Sequence, residues 1–138
     1  MFYYIQPEVS GGLGESTIID TTIHPPKVSQ LEYKFEGWLG DDLLESFPCF
    51  IVTKKLADTL TTENLSGFKI MPVATSISEN FIELHPNTYP PKFLWLQIKG
   101  SAKIDDFGLS EDHILVISEK ALKTLRKNKI NHAEIRPL

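Results

Sequence analysis

Phe50-Ile51-Val52-Thr53-Lys54-Lys55-Leu56-Ala57-Asp58-Thr59-Leu60 and Leu115-Val116-Ile117-Ser118-Glu119-Lys120-Ala121-Leu122-Lys123-Thr124-Leu125 are two versions of one sentence. Laid over each other without a gap, at an offset of 65 positions, residues 50–73 match residues 115–138. Lys55 falls on Lys120, Thr59 on Thr124, Leu60 on Leu125, Ile70 on Ile135 and Pro72 on Pro137, while Thr53 meets Ser118 and Leu65 meets Ile130. Carried backward at the same offset, Leu31 meets Leu96, Lys34 meets Lys99, Asp41 meets Asp106 and Leu44 meets Leu109, which gives a repeat over 31–73 and 96–138. Self-similarity of this kind signals one supersecondary unit used twice.

The unit reads as a β-branched strand, a hydroxyl residue, a helix of two to three turns, a short link and a second strand. Thr53 and Ser118 stand where an N-cap is needed, because a side-chain oxygen there accepts from the orphan amides of the first turn, a contribution of about 1 kcal/mol. In the second copy Glu119 suits the positive end of the helix dipole, and Arg126, Lys127 and Lys129 suit the negative end. Leu56 with Leu60, and Leu122 with Leu125, share a helical face directed at a core. Lys120, Lys123 and Lys127 line the opposite face, and the absence of interleaved aromatics makes this a solvated surface rather than a nucleic-acid patch.

Outside the repeat, Phe2-Tyr3-Tyr4-Ile5, Thr17-Ile18-Ile19, the alternating Leu31, Tyr33 and Phe35, Phe81-Ile82-Glu83-Leu84 and residues 93–98 read as strands. Gly11-Gly12-Leu13-Gly14, Pro25-Pro26 and Pro90-Pro91 read as loops. The expectation is a single α+β domain over 1–138, with a mostly antiparallel or mixed sheet and two principal helices. Parallel or antiparallel pairing within each unit stays open.

One domain is what 138 residues accommodate, and 41% hydrophobic content suffices for one core. No apolar run approaches the length of about 20 residues that spans a bilayer, and the opening residues lack the basic and apolar regions of a signal peptide. The single cysteine, Cys49, excludes an internal disulfide and any multi-cysteine zinc site. These features point to the cytoplasm.

The net charge of −4 is unevenly spread. Residues 1–49 hold Lys27 and Lys34 against Glu8, Glu15, Asp20, Glu32, Glu36, Asp41, Asp42 and Glu45, a balance of −6 that leaves +2 for the remainder. Such a segment disfavours phosphate backbones and favours a basic protein partner, or is an ordinary solvated surface.

Signals of catalysis are thin. The glycine stretch 11–14 is followed by Glu15 and a strand, with no lysine and no helix behind it, so it reads as a flexible turn or a partner-contacting loop rather than a phosphate cradle. His24, His85, His113 and His132 show no metal-ligand spacing. Cys49 follows Pro48 into an apolar strand and reads as a buried thiol. Ser76-Ile77-Ser78 lacks the nucleophile-elbow pattern. Asp41-Asp42, with Glu45 beyond, and Asp105-Asp106 could serve a turn, a partner-facing patch or acid–base chemistry. Trp38 beside the first pair favours the patch, since aromatic anchors next to charge characterise hot spots, although a core position is equally ordinary for a tryptophan.

The run Gly37-Trp38-Leu39-Gly40-Asp41-Asp42-Leu43-Leu44-Glu45-Ser46-Phe47-Pro48-Cys49-Phe50-Ile51-Val52-Thr53, followed by Leu56 and Leu60, resembles the core of bacterial immunity proteins from polymorphic-toxin loci. The run from Asp106-Phe107-Gly108 to Leu122, with Ile130 and Ile135, is similar to the C-terminal module of the same proteins; together the likeness covers 37–73 and 96–138. The resemblance implies a non-enzymatic protein that needs no cofactor or metal and binds a cognate toxin domain, with no nucleic-acid or membrane partner. On this reading the contact surface comprises Trp38, Asp41, Asp42 and Glu45, with Gly12 and Glu15 of the neighbouring loop. A generic protein-interaction subunit and a small carboxylate-based enzyme are the alternatives.

Overall fold

Thr53 and Ser118 each begin a helix. Their side-chain oxygens accept from the amides of Leu56 at 3.3 Å and Ala121 at 3.0 Å. In the computed structural model, which describes residues 1–138, the chain runs through β1 (Phe2–Gln6), β2 (Gly11–Leu13), β3 (Ile18–Asp20), β4 (Lys27–Gln30), β5 (Glu32–Phe35), β6 (Leu43–Ser46), β7 (Cys49–Thr53) and α1 (Lys54–Thr62). It continues through β8 (Phe68–Met71), β9 (Ala74–Ile77), α2 (Glu79–Leu84), β10 (Phe93–Ile98), β11 (Phe107–Leu109), β12 (Leu115–Ser118), α3 (Glu119–Arg126) and β13 (Glu134–Pro137). The fold is α+β, with α1 and α3 as its principal helices.

Two four-stranded antiparallel sheets repeat one layout, β6-β7-β10-β8 and β11-β12-β1-β13. The strands flanking each helix do not pair with each other. A third strand lies antiparallel between them: β10, which follows later in the chain, in the first copy, and the N-terminal β1 in the second. Every hydrogen-bonded pairing in these two sheets is therefore antiparallel, while the two strands flanking each helix run parallel to each other, so each unit is a crossover split by the strand inserted between them.

Two details of the expected repeat are corrected. Leu43 pairs with Val52 and Phe107 with Ile117, so Leu43 occupies the place of Phe107 and Asp42, not Asp41, that of Asp106. Counted between equivalent pairs, the path from Leu109 to its partner Leu115 is one residue longer than that from Glu45 to its partner Phe50, and this absorbs the slip. Upstream the likeness ends: β5 lies between β2 and β9 in a separate three-stranded sheet, whereas the residues aligned with it, 97–100, finish the central strand β10 and leave it.

The β6-β7-β10-β8 sheet is covered on both faces, and β7 is buried at every position. Because successive side chains of a strand point oppositely, Phe50 and Val52 enter one apolar cluster with Leu56 and Leu60 of α1, Leu122 and Leu125 of α3, and Ile5 and Ile117 of the other large sheet. Cys49 and Ile51 enter a second cluster with Tyr33 and Phe35 of β5, Phe81 of α2, and Phe93 and Trp95 of β10. Each fully buried leucine or phenylalanine contributes about 1.5–3 kcal/mol. Both copies of the unit feed the first cluster, which makes them halves of one core.

Residues 81–84 belong to α2 rather than to the expected strand. Ser78 caps it, accepting from the Phe81 amide at 3.1 Å, and Phe81 alone is buried, so a single anchor fixes a short helix. Gly11–Leu13 is strand β2 rather than a free turn. A side chain at Gly11 would overlap the Lys34 carbonyl of the adjoining β5, which explains the glycine as a site of close backbone approach. No helix is long and apolar enough to cross a membrane.

Candidate functional site

The carboxylates flagged in the sequence turn inward. Asp42 precedes β6 and is buried; it accepts from the Thr53 hydroxyl at 3.1 Å and the Lys129 amide at 2.8 Å, while its own amide donates to the Lys129 carbonyl at 2.7 Å. In the other copy, Asp106 accepts from the Ser118 hydroxyl at 2.6 Å and the Ser66 amide at 2.9 Å. Lys129 lies just past α3 and Ser66 just past α1. Each aspartate therefore ties the capping hydroxyl of its own helix to the chain leaving the other copy's helix. Burial pushes the Asp106 carboxyl up, but the Ser118 hydroxyl and the Ser66 amide outweigh it and hold the group below its ordinary value.

Asp41 is fully buried. One oxygen accepts from the amide of His132 at 2.7 Å; the other accepts from the amide of Asn131 at 3.0 Å and lies 3.2 Å from His132 Nδ1. Its amide donates at 3.2 Å to Glu8, a second buried carboxylate that also accepts from the Leu39 amide at 2.8 Å and the Ser10 hydroxyl. Potential ligand atoms of Glu8, Asp41 and His132 all lie within 4.8 Å of one another, a donor set that could hold a divalent cation. Both carboxylates are already engaged by backbone amides, however, and a cation would have to displace the His132–Asp41 contact. The arrangement acts as a latch that fixes residues 39–41 and 131–132 on the end of β1.

Asp41 and Asp42 consequently have no surface to offer a partner, which corrects their expected place in a contact patch. A dipeptide of acidic residues reads as hydrophilic surface; the amides that consume it lie nearly ninety positions away and leave no local trace. The remaining expected contacts do not converge either. Trp38 is half-buried, edge-on to Phe93 with 6.0 Å between ring centroids, and its indole N–H donates to the Asp41 carbonyl at 3.0 Å. Gly12 faces open space in β2, and Glu15 is exposed in the following turn. Glu45 is half-buried on β6, where it lines a separate cavity with Phe47 and Phe50.

Beside Trp38 the surface is apolar. Val9 and Leu39, each 67% exposed, border a groove with Trp38, Gly37 and Glu36. Leu84 of α2, also 67% exposed, reaches the same place: its Cδ1 would lie 3.9 Å from a Cβ built on Gly37. Isolated exposed leucines are unremarkable, but several gathered at one groove form the kind of patch associated with protein contacts. The acidic N-terminal third, in contrast, is less acidic outside than along the chain. Glu8, Asp41 and Asp42 are buried, and Glu32 is held by the Ser16 and Ser76 hydroxyls, which depress its pKa. Glu15, Asp20 and Glu36 remain as the fully solvated acids of that segment.

Cys49 is a core thiol, pushed up to about 12 by burial, and such a group is a poor nucleophile at neutral pH. His24 meets His113 edge-on at 5.1 Å, and His85 packs on Phe81 at 4.8 Å. Sequence reasoning missed Glu8, Val9 and Leu84, because neither a latch nor a patch built from residues 9, 39 and 84 has a spacing signature. Compared with models of known protein families and with curated proteins, the sequence matches none.

Proposed function

We propose that the protein is an immunity protein that binds a cognate toxin domain and occludes its active or substrate surface. The observation that carries this reading is the exposed apolar groove of Val9, Trp38 and Leu39, with Glu36 at its edge and the exposed Leu84 close to Gly37 of its lining. Its composition fits a protein interface, in which an aromatic and aliphatic centre supplies affinity and a charged rim steers association. The site is braced from beneath: the Glu8 carboxylate holds the Leu39 and Asp41 amides, and the Asp41 carbonyl holds the Trp38 indole. A surface held by a rigid base loses little conformational entropy when it binds. The sequence likeness to immunity proteins supplies the class of partner, and the inward use of Asp41, Asp42 and Asp106 draws support away from carboxylate catalysis.

Co-expression with the product of the adjacent gene tests the proposal. Growth rescue and co-purification by the wild type are expected, with both lost in Val9→Asp/Leu39→Asp. A protein that neither rescues nor co-purifies would contradict the immunity reading. Capture of a non-toxic partner through the same groove would favour a generic interaction subunit instead.

A further inference from the structure

The hairpin of β3 and β4 forms a two-stranded ribbon that joins no other sheet. Hydrogen bonds of residues 18–30 stay within the hairpin and its base at Ser16. Its attachment to the body is apolar at one end and aromatic at the other. Along the strands, Val28 is buried in the second apolar cluster and Ile19 packs against that cluster. At the tip, the His24 ring meets the His113 ring edge-on, with 5.1 Å between centroids. His113 lies in the loop between β11 and β12 with a left-handed backbone, φ 63°, so a strained turn rather than a strand aims its ring.

Between these attachments lies a cavity of about 200 Å³. Pro25, Pro26 and Val28 of the hairpin line it together with Phe47, Pro48 and Cys49, where β6 turns into β7. Cys49 is buried, so access to its thiol reports whether the hairpin is closed. The charges around the two rings favour release on protonation. Lys27 and Lys99 also line the cavity, and both carry the sign that an imidazole gains with a proton. Among the nearby acids, Asp20 accepts from the Thr22 amide at 2.9 Å and hydroxyl at 2.5 Å, Glu45 is half-buried on β6, and Glu111 and Asp112 are exposed on the loop of His113. None of them forms an ion pair with His24 or His113. Imidazole is the side chain whose charge ordinarily changes between pH 5 and 8. A neutral pair packs edge-on, whereas two imidazolium rings at this separation repel each other.

We propose that the β3–β4 hairpin is an acid-released flap, closed over the cavity by the His24–His113 contact at neutral pH and opened when both imidazoles are protonated. Val28 is the pivot, because it stays anchored in the core while the tip moves. The device involves neither the Trp38 groove nor a partner, so its test does not depend on the immunity reading.

Two measurements on the full chain test the flap, in the wild type and in His24→Phe, which keeps an edge-on ring at the tip and cannot take a charge. The first is the NMR cross-peak between the rings of residues 24 and 113, read at pH 8 and pH 5.5, the two sides of the imidazole range. It is expected at both pH values in the variant and only at pH 8 in the wild type; a wild-type cross-peak that persists at pH 5.5 would overturn the proposal. The second is the rate at which Cys49 reacts with dithiodipyridine. Comparing the two proteins at one pH cancels the ionisation of the thiol. The wild-type rate relative to the variant should rise about fivefold or more between pH 8 and pH 5.5, and an unchanged ratio would show that the cavity does not open. Hydrogen exchange at the amides of Ile51 and Val52 in β7 separates a flap from global unfolding. Their protection at pH 5.5 should match in the two proteins, and a loss confined to the wild type would also overturn the flap.

Discussion

Glu45 and Cys49, four positions apart, show how burial changes the chemistry of a side chain. Because burial raises the Glu45 pKa above its ordinary 4.5, the folded protein favours the protonated form. The associated stability is present below the unfolded value and lost as pH rises through the folded one. Glu45→Gln should therefore melt higher than the wild type at pH 7, with the difference closing at pH values below the ordinary glutamate range; thermal melts at the two pH values read this directly. Cys49, pushed up to about 12, should resist a thiol-specific reagent in the native state and react on unfolding. Its burial was legible in the sequence, since a residue opening an apolar strand after Pro48 has few alternatives. The role of Asp41 was not: no local pattern distinguishes a solvated aspartate from one that accepts the amides of Asn131 and His132.

Between elements, the reciprocal aspartates are the decisive joints. Removing the Asp42 carboxylate leaves the buried Thr53 hydroxyl and the Lys129 amide without their acceptor. A buried group so abandoned costs about 1–3 kcal/mol, so Asp42→Ala should lower stability by about 2–3 kcal/mol in urea titrations. Asp58→Ala, which breaks the exposed Lys54–Asp58 pair at 2.8 Å, should change it by less than about 1 kcal/mol. Asp106→Asn should destabilise at neutral pH. Its carboxyl is held below the ordinary value in the fold, so its contribution is present above the unfolded pKa and lost as pH falls through the folded one. Helices α1 and α3 were readable because a capping hydroxyl, a spaced leucine pair and a duplicated pattern all agreed. Helix α2 was not, since six residues with Phe81 as the single buried side chain carry no periodicity. The strand between each pair of helix-flanking strands was likewise invisible, because β1 and β10 reach equivalent places from unrelated positions in the chain.

At the scale of the whole molecule, that unequal route makes the second copy a permuted version of the first. Leu138 donates to the Phe2 carbonyl at 3.0 Å and Pro137 pairs with Tyr3, so the two ends of the chain lie side by side. A permutant joining Leu138 to Met1 through a short Gly/Ser linker, opened between the exposed Asn87 and Thr88, should keep the wild-type circular dichroism spectrum and a cooperative melt. Loss of either would show that the order of the chain matters more than the duplicated layout implies. Charge also looks different at this scale, because three of the eight N-terminal acids are buried inside the fold. A general acidic face is therefore a weaker basis for partner choice than the apolar groove. The most direct test is calorimetric titration of the full chain with the product of the adjacent gene, using the wild type and Val9→Asp/Leu39→Asp. The account predicts saturable one-to-one binding by the wild type and a loss of about a hundredfold or more in the variant; absence of wild-type binding, or equal affinity in the two proteins, would contradict it.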